Sequence, residues 1–424
     1  MKRCVTVILD GLRADQAYGL ELPNIGRLRR TGTTFTSHRA IFPSATRASS
    51  ASVATGCWPM RHGLHGNQMA LPEGDGFIAY DVGKPDFFEI WREQSGGTLR
   101  VPTLAERVRH VGGSIVFANA SPGAALAHDP DGHGHVYHRA VSQAPGRIPA
   151  ADPLQVTLSP AGDAAIAERF IAEVLHERRP AHAVLWLSNP DDTQHDHPLG
   201  SPASLNAIAE ADRLLGLVID AIDALDPNRE DILLLAGSDH GHETVRAYIP
   251  VEAEMIAAGL KAAGDDPSFV IVPQGTGFLV YASPRQAARV TALQEWLSRQ
   301  DWCGRIVAHD SLASIGHVPD AGVVMAVGMA STSDANPYGV PGMTFVATRF
   351  ETTGRTLNNG SHGGMGAFET NPFLVVSGYG FVPGQSRSED TSLLDIAPTV
   401  LAHLGLDASG VDGKALQSTA DHSV

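Results

Sequence analysis

Cysteine is scarce in this chain: Cys4, Cys57 and Cys303 are the only three among 424 residues. An odd, scattered set without CxxC spacing excludes a disulfide framework and leads us to expect a reducing compartment, each thiol reading as a small buried hydrophobe. Positive charge is also short, with 31 Lys and Arg against 46 Asp and Glu and a formal net charge of −15. A general binder of nucleic-acid polymers or anionic membranes needs a basic surface, so neither partner is expected. A small anionic substrate stays open, because bound metal ions add positive charge that the side-chain count omits. No run approaches the roughly 20 apolar residues of a membrane span. The N-terminus MKRCVTVILDG enters a strand directly, with no apolar stretch of signal-peptide length. The expected location is cytoplasmic. Internal repeats and low-complexity tracts are missing as well, which excludes solenoid and array architectures.

What is present is a helix–strand alternation. CVTVIL (4–9), SIVFAN (from 114), AVLWLS (183–188) and DILLLAG (231–237) are apolar runs without polar alternation, as in strands buried on both faces. Between them lie helical patterns at 102–111, 162–176 and 203–225. The fold class expected is α/β: a mostly parallel sheet covered by helices on both faces. After His242 the pattern changes to shorter strand candidates, FVIVP, TGFLVYAS and GVVMAVG, joined by Pro- and Gly-rich links. We therefore expect a core of residues 1–244 and 351–416 interrupted by an α+β cap subdomain at 245–350, placed by chain order to cover a site. The core closes with TSLLDIAPTVLAHLG (391–405), where Pro398 predicts a kink or break, and a polar tail follows Leu416.

Several apolar runs or glycine-rich turns end in hard or borderline metal ligands. Asp10 ends VTVILD, Thr46 lies in FPSATRASS, Asp191 and His195 in NPDDTQH, Asp239 and His240 in GSDHGH, and His362 in NGSHGG. Taken singly, Asp10 and Thr46 also read as turn or helix N-cap residues, and NPDDTQH as an Asx-rich loop. Together, in this order, they read as two metal sites: Asp191, His195 and His362 for one ion, and Asp10, Asp239, His240 and the Thr46 oxygen for the other. Three protein ligands leave an open position for substrate or water, and Asp/His sets without thiolate suit zinc, with manganese an alternative. Two such ions clamp the attacking and leaving oxygens of an in-line displacement and make a threonine hydroxyl a competent nucleophile.

These motifs resemble the alkaline phosphatase superfamily, in its branch of nucleotide pyrophosphatases/phosphodiesterases and their phosphonoacetate hydrolase relatives. The resemblance runs from LDGLR at residue 9 to LLDIAPTVLAHLGL near 406 and the closing DGKAL. It implies a threonine nucleophile at Thr46, a phosphothreonine intermediate and two zinc ions. It also implies a role for Asn67 in RHGLHGN, whose amide, with the Thr46 backbone N–H, would bind a non-bridging phosphoryl oxygen. His65, His197 and His242 lie beside the ligands in sequence and suit an orienting role.

The chain departs from the pattern in two places. Arg47 follows the nucleophile, either paired with an acidic residue outside the pocket or touching substrate. The stretch SIVFANASPGAALA contains none of the basic residues that phosphonoacetate hydrolases and monoesterases of this branch carry there. A second anionic oxygen would lack its partner, so the expected substrate is a small phosphate diester. Phosphonoacetate-like C–P hydrolysis, monoester hydrolysis, a cofactor-independent phosphoglycerate mutase-like isomerase and a degenerate metal- or phosphate-binding scaffold are the alternatives. Specificity is expected from the cap and from the 68–100 segment, where Phe77, Tyr80, Asp81, Phe87 and Trp91 are candidates for a leaving-group pocket.

Overall fold

Apolar strands set the architecture. In the computed structural model, which describes residues 1–262, 264, 266–319, 322–354 and 356–417, ten strands form one sheet. Its centre is parallel: Ile232–Gly237, Arg3–Leu9, His182–Leu187, Ser114–Ala118 and His135–Tyr137 lie side by side in that order. The first four of these are buried along their whole length, as their unalternating sequences require. Leu374–Ser377 adds an antiparallel neighbour to Ile232–Gly237, and the short strands Ser142–Ala144 and Ile148–Pro149 extend the other edge antiparallel.

Side chains alternate between two cores. Val5, Val7 and Leu9 face one core with Leu185, Leu234 and helix Pro202–Leu225, while Cys4, Leu233 and Leu235 face another with helix Thr46–Thr55 and helix Ile396–Leu404. Each fully buried Leu or Val in these layers contributes about 1.5–3 kcal/mol. The three cysteines are free, two of them buried. Helix Thr46–Thr55 is buried at every position but Arg47. Its Ala- and Ser-rich sequence permits that close packing, and Gly56 ends it in a left-handed conformation at φ 70°.

Pro398 does not kink a helix. Leu393–Asp395 form a separate 3₁₀ turn, and the α-helix begins at Ile396, so Pro398 falls in the first turn, where a missing N–H costs nothing. Between Phe269 and Met329 a four-stranded sheet, antiparallel throughout, carries helix Ala287–Leu297 on one side. Its other face, with Val272, Leu279 and Tyr281, packs on Phe42 and Ala70 of the chain's first half. The polar tail lies, beyond Gln417, outside the described residues. Among the described residues no helix is long and apolar enough to cross a membrane.

Candidate metal and phosphoryl-transfer site

Three adjacent strands deliver three carboxylates to one edge of the sheet. Asp10 follows Leu9, Asp239 lies two residues past Gly237, and Asp191 follows Leu187 through Ser188, Asn189 and Pro190. The carboxyl end of a parallel sheet is where strand termini and loops leave space for a ligand. The loop before Asp191 is fixed by Asp163, a buried carboxylate on helix Pro160–Arg169. It accepts hydrogen bonds from the Ser188 and Asn189 backbone N–H groups, from Ser188 Oγ and from the Asn189 and Asn119 amides, all at 2.9–3.1 Å. Asp163 escaped notice in the sequence; its only signal is an acidic residue on a helix face shared with the buried Ile166 and Ala167.

Each of the first two carboxylates has one oxygen tied and the other bare. Trp186 Nε1 donates to Asp10 Oδ2 at 2.8 Å and the Gly11 N–H to Asp239 Oδ1 at 3.2 Å. Asp10 Oδ1, Asp239 Oδ2 and Asp191 Oδ1 are buried without a hydrogen-bond partner among the described residues. Three such oxygens at one place are costly in a dry interior unless a proton or a cation meets them.

The histidines complete the argument. Nδ1 of His240, His242 and His362 faces a backbone carbonyl, of Gly241, Gly11 and Ser44 respectively, at 2.7–3.1 Å. Donation from Nδ1–H leaves each Nε2 lone pair aimed inward. His240 Nε2 lies 3.3 Å from Asp239 Oδ2, 3.5 Å from Asp10 Oδ1 and 3.2 Å from Thr46 Oγ1. His195 and His362 Nε2 lie 3.4 and 3.3 Å from Asp191 Oδ1 and 3.2 Å from each other. Acceptors facing acceptors at these distances make two groups able to hold a divalent ion, Asp10–Asp239–His240 and Asp191–His195–His242–His362. The rings of His240 and His362 stack at 3.6 Å, which sets the two groups side by side.

The electrostatics agree. Burial, reinforced by Asp239 and Asp191, pushes the Asp10 carboxyl well above the usual range, and burial with Asp191 pushes Asp239 up to about 7. Burial also acts on Asp191, but His195, His242 and His362 outweigh it and hold that carboxyl well below the usual range. Burial lowers His240 to about 4, which keeps it a neutral ligand. A site built to repel itself when empty is a site for cations.

Thr46, the first residue of its helix, meets the Asp10 group through its hydroxyl. Asn67 Oδ1 accepts the Arg47 backbone N–H at 3.1 Å, fixing the amide, and both Asn67 and Thr46 line a cavity of about 340 Å³ with Asp10, Asp191, His195 and His362. All seven proposed ligands and Asn67 therefore converge. His197 does not: it is exposed, and His195 holds the inward position. His65 is elsewhere, bonded through Nδ1 to the Tyr281 hydroxyl at 2.8 Å. Among the described residues none of 245–350 and, from 68–100, only Gly83 lines the cavity, while Phe87 and Trp91 are core residues and Phe77 packs on Tyr281. The leaving-group pocket expected of those aromatics is not formed; their apolar area is consumed in packing.

The sequence profile of the family described as type I phosphodiesterase / nucleotide pyrophosphatase matches residues 4–301, well over half of the chain. The chain belongs to this family. Ectonucleotide pyrophosphatase/phosphodiesterase family member 1 of Mus musculus is 28% identical over 240 residues, 55% of this chain and 23% of that protein. A venom phosphodiesterase of Crotalus durissus collilineatus is 26% identical over 247 residues, 56% of this chain and 26% of that protein. The chain thus spans about a quarter of the length of the curated relatives it matches. Among solved structures, murine ectonucleotide pyrophosphatase/phosphodiesterase 5 in complex with AMP superposes with a TM-score of 0.70 at 15% identity, over 98% of both chains. Phosphonoacetate hydrolase from Sinorhizobium meliloti 1021 in complex with phosphonoformate superposes with a TM-score of 0.69 at 17% identity, over 95% of both. The fold is shared with both.

In this member of the phosphodiesterase family, His242 stands closer to the ligands than an orienting residue. Its Nε2 is 3.0 Å from Asp191 Oδ1 and has no hydrogen-bond partner. Gly11 and Gly360 leave room for its ring, since a Cβ at either would come within 2.5 and 2.9 Å of it. We expect His242→Ala to weaken the tighter of two zinc-binding events by about 10–100-fold, read by competition with a chromophoric chelator. Unchanged affinity would return His242 to a packing role.

Proposed function

We propose that this chain hydrolyses phosphoric esters, as a phosphodiesterase- or nucleotide pyrophosphatase-type enzyme, with Thr46 as nucleophile and two divalent ions, zinc with manganese as the alternative, as cofactors. One observation carries the reading: a threonine hydroxyl at a helix start lies 3.2 Å from His240 Nε2, beside three buried carboxylate oxygens without partners. Asp10, Asp239 and His240, with the Thr46 oxygen, would hold one ion, and Asp191, His195 and His362, with His242 beside them, the other. When bound, such ions lower the pKa of the Thr46 hydroxyl and stabilise charge on the departing oxygen.

Thr46 Oγ gives up its proton to solvent water and forms a bond to phosphorus as the ester oxygen on the opposite side leaves with its electron pair. The Thr46 N–H and the Asn67 amide nitrogen, which has no partner among the described residues, donate to a non-bridging oxygen as negative charge builds on it. Water then attacks the phosphothreonine, the Thr46 Oγ–phosphorus bond breaks, and the hydroxyl regains a proton. The murine relative bound to AMP is described as an inactive threonine-to-alanine variant, which supports a threonine in this role.

Two in-line displacements give net retention of configuration. Hydrolysis of a chiral phosphorothioate diester in ¹⁸O-water should therefore retain configuration at phosphorus; net inversion would exclude the covalent intermediate. A second reading, hydrolysis of a monoester or of a phosphonate, is favoured by two arginines that line the same cavity.

A further inference from the structure

Arg139 lies in the turn between His135–Tyr137 and Ser142–Ala144, far in sequence from every proposed ligand, yet it lines the cavity that holds Thr46. Its Nη1 donates to three acceptors, the Asn119 carbonyl, Asn119 Oδ1 at 3.0 Å and the Ala120 carbonyl at 2.8 Å. Asn119 is itself held by Asp163, through its amide at 2.9 Å. Capping two carbonyls thus takes a single nitrogen. The Nε–Nη2 edge, which is the edge that pairs with oxyanions in a bidentate way, has no hydrogen-bond partner among the described residues.

Arg47 enters the cavity from the nucleophile's own helix. Its Nε donates to Ser121 Oγ at 2.9 Å, and Nη2 stands 4.0 Å from Asp81, too far for a hydrogen bond. Both sequence readings of Arg47 are therefore half met: it faces an acid and also the cavity. Gly83 makes its seat, because a Cβ there would fall 2.3 Å from Nη2. Asp192 is the one carboxylate on this wall outside the proposed ligand sets. Asp81 beside Arg47 offsets part of that side chain's charge, which leaves Arg139, with its open edge, as the cation of this wall that is free to meet an anionic group.

We infer that Arg139, together with Arg47, seats a second oxyanion of the substrate, so that the chain prefers phosphoryl compounds carrying two negative charges over monoanionic ones. This rests on the phosphoryl-transfer reading above. It reverses the expectation drawn from the missing lysines and arginines in residues 114–127: the fold brings the cation from position 139 to the carbonyls of Asn119 and Ala120. The second charge has two possible sources, another oxygen on the same phosphorus or a carboxylate on its substituent.

Three substrates with one leaving group separate these cases on the zinc-loaded chain: p-nitrophenyl phenylphosphonate (one charge), p-nitrophenyl phosphate (second charge on phosphorus) and p-nitrophenyl carboxymethylphosphonate (second charge on the substituent). The parent should favour at least one dianion. Arg139→Gln should lower the dianion-to-monoanion ratio of kcat/KM at least tenfold for that substrate, and Arg139→Lys, which keeps the charge without the fork, by less. The favoured dianion names the source. An unchanged ratio, with all three substrates falling alike or none falling, overturns the subsite. Should Arg139→Gln not fold, the Lys variant decides: a lowered ratio supports the subsite and an unchanged ratio overturns it. If the parent turns over none of the three, the hydrolase reading fails, and calorimetry decides the subsite separately. Phosphonoacetate or methylphosphonate should then bind the parent at least tenfold more tightly than Arg139→Gln, a loss confined to phosphonoacetate naming the carboxylate as the source; equal binding of both ligands to parent and variant overturns it.

Discussion

Thr46→Ala is expected to lower turnover of a good p-nitrophenyl diester by at least ~1000-fold, a loss of about 4 kcal/mol of transition-state stabilisation. The reasoning is local. Thr46 offers the cavity its hydroxyl 3.2 Å from His240 Nε2, while the two serines on the same wall are engaged elsewhere, Ser121 Oγ by Arg47 Nε and Ser188 Oγ by Asp163. Ala removes the atom that would bond to phosphorus but leaves the helix start intact, since Thr46 makes no side-chain cap and alanine is a good helix former. Metal content should stay near two ions per chain, because Asp10, Asp239 and His240 keep their positions through Trp186, Gly11 and the Gly241 carbonyl. The measurement is steady-state kinetics together with metal analysis on the same preparation. Turnover within tenfold of the parent would remove Thr46 as nucleophile, whereas loss of both metals would make its hydroxyl a ligand before anything else.

Asp239→Asn is expected to separate stability from function. In the metal-free chain, burial and Asp191 push the Asp239 carboxyl up to about 7, and Asp10 lies well above its usual range. A carboxyl whose folded pKa is raised binds more protons in the folded than in the unfolded state between about pH 4 and 7, so folding stability falls as pH rises through that window. Buried neutral histidines such as His240 act equally on parent and variant, so the difference isolates Asp239: between pH 5.5 and pH 8 the metal-free parent should lose melting temperature relative to Asp239→Asn. Asp239→Asn removes one of the repelling charges. It should flatten that decline and melt higher than the metal-free parent at pH 8, while losing one equivalent of metal and most activity. Zinc should stabilise the parent by about 2.7 kcal/mol at 100 times its Kd and the variant by less. Calorimetric scans with and without zinc at the two pH values read all of this. A metal-free variant that melts below the parent at pH 8 would show that the carboxylates hold the site together without a cation.

The strand runs that carry Asp10, Asp191 and Asp239 were legible because a strand buried on both faces leaves an unbroken apolar run, and a polar residue at its end is conspicuous. The His240 and His362 motifs were legible for a related reason: small or glycine neighbours around a histidine permit close approach of backbone. Other parts were silent. Asp163 acts across 25 residues on Ser188, and Trp186 reaches Asp10 from a neighbouring strand, as a core residue that its sequence context only marks as apolar. The aromatic residues of 68–100 misled, since residue type alone does not say whether a ring faces a cavity or a core; here Phe87 and Trp91 face the core. Pro398 misled by one turn, because the pattern does not show where a helix starts within an apolar stretch.

By itself the sequence determined the buried strands along the chain, the mostly parallel sheet they build, and the seven ligand-type residues in the turns and helix starts that follow strand or glycine-rich runs. These follow from local periodicity and from the chemistry of short motifs, both written along the chain. Only the tertiary structure decided that His242 presents Nε2 to Asp191, that Asp163 ties the Asp191 loop to Asn119, and that Arg139 brings a free guanidinium edge to the cavity. Those three depend on contacts between residues 19 to 51 positions apart. Their geometry is set by the packing of whole elements, and no local spacing encodes it.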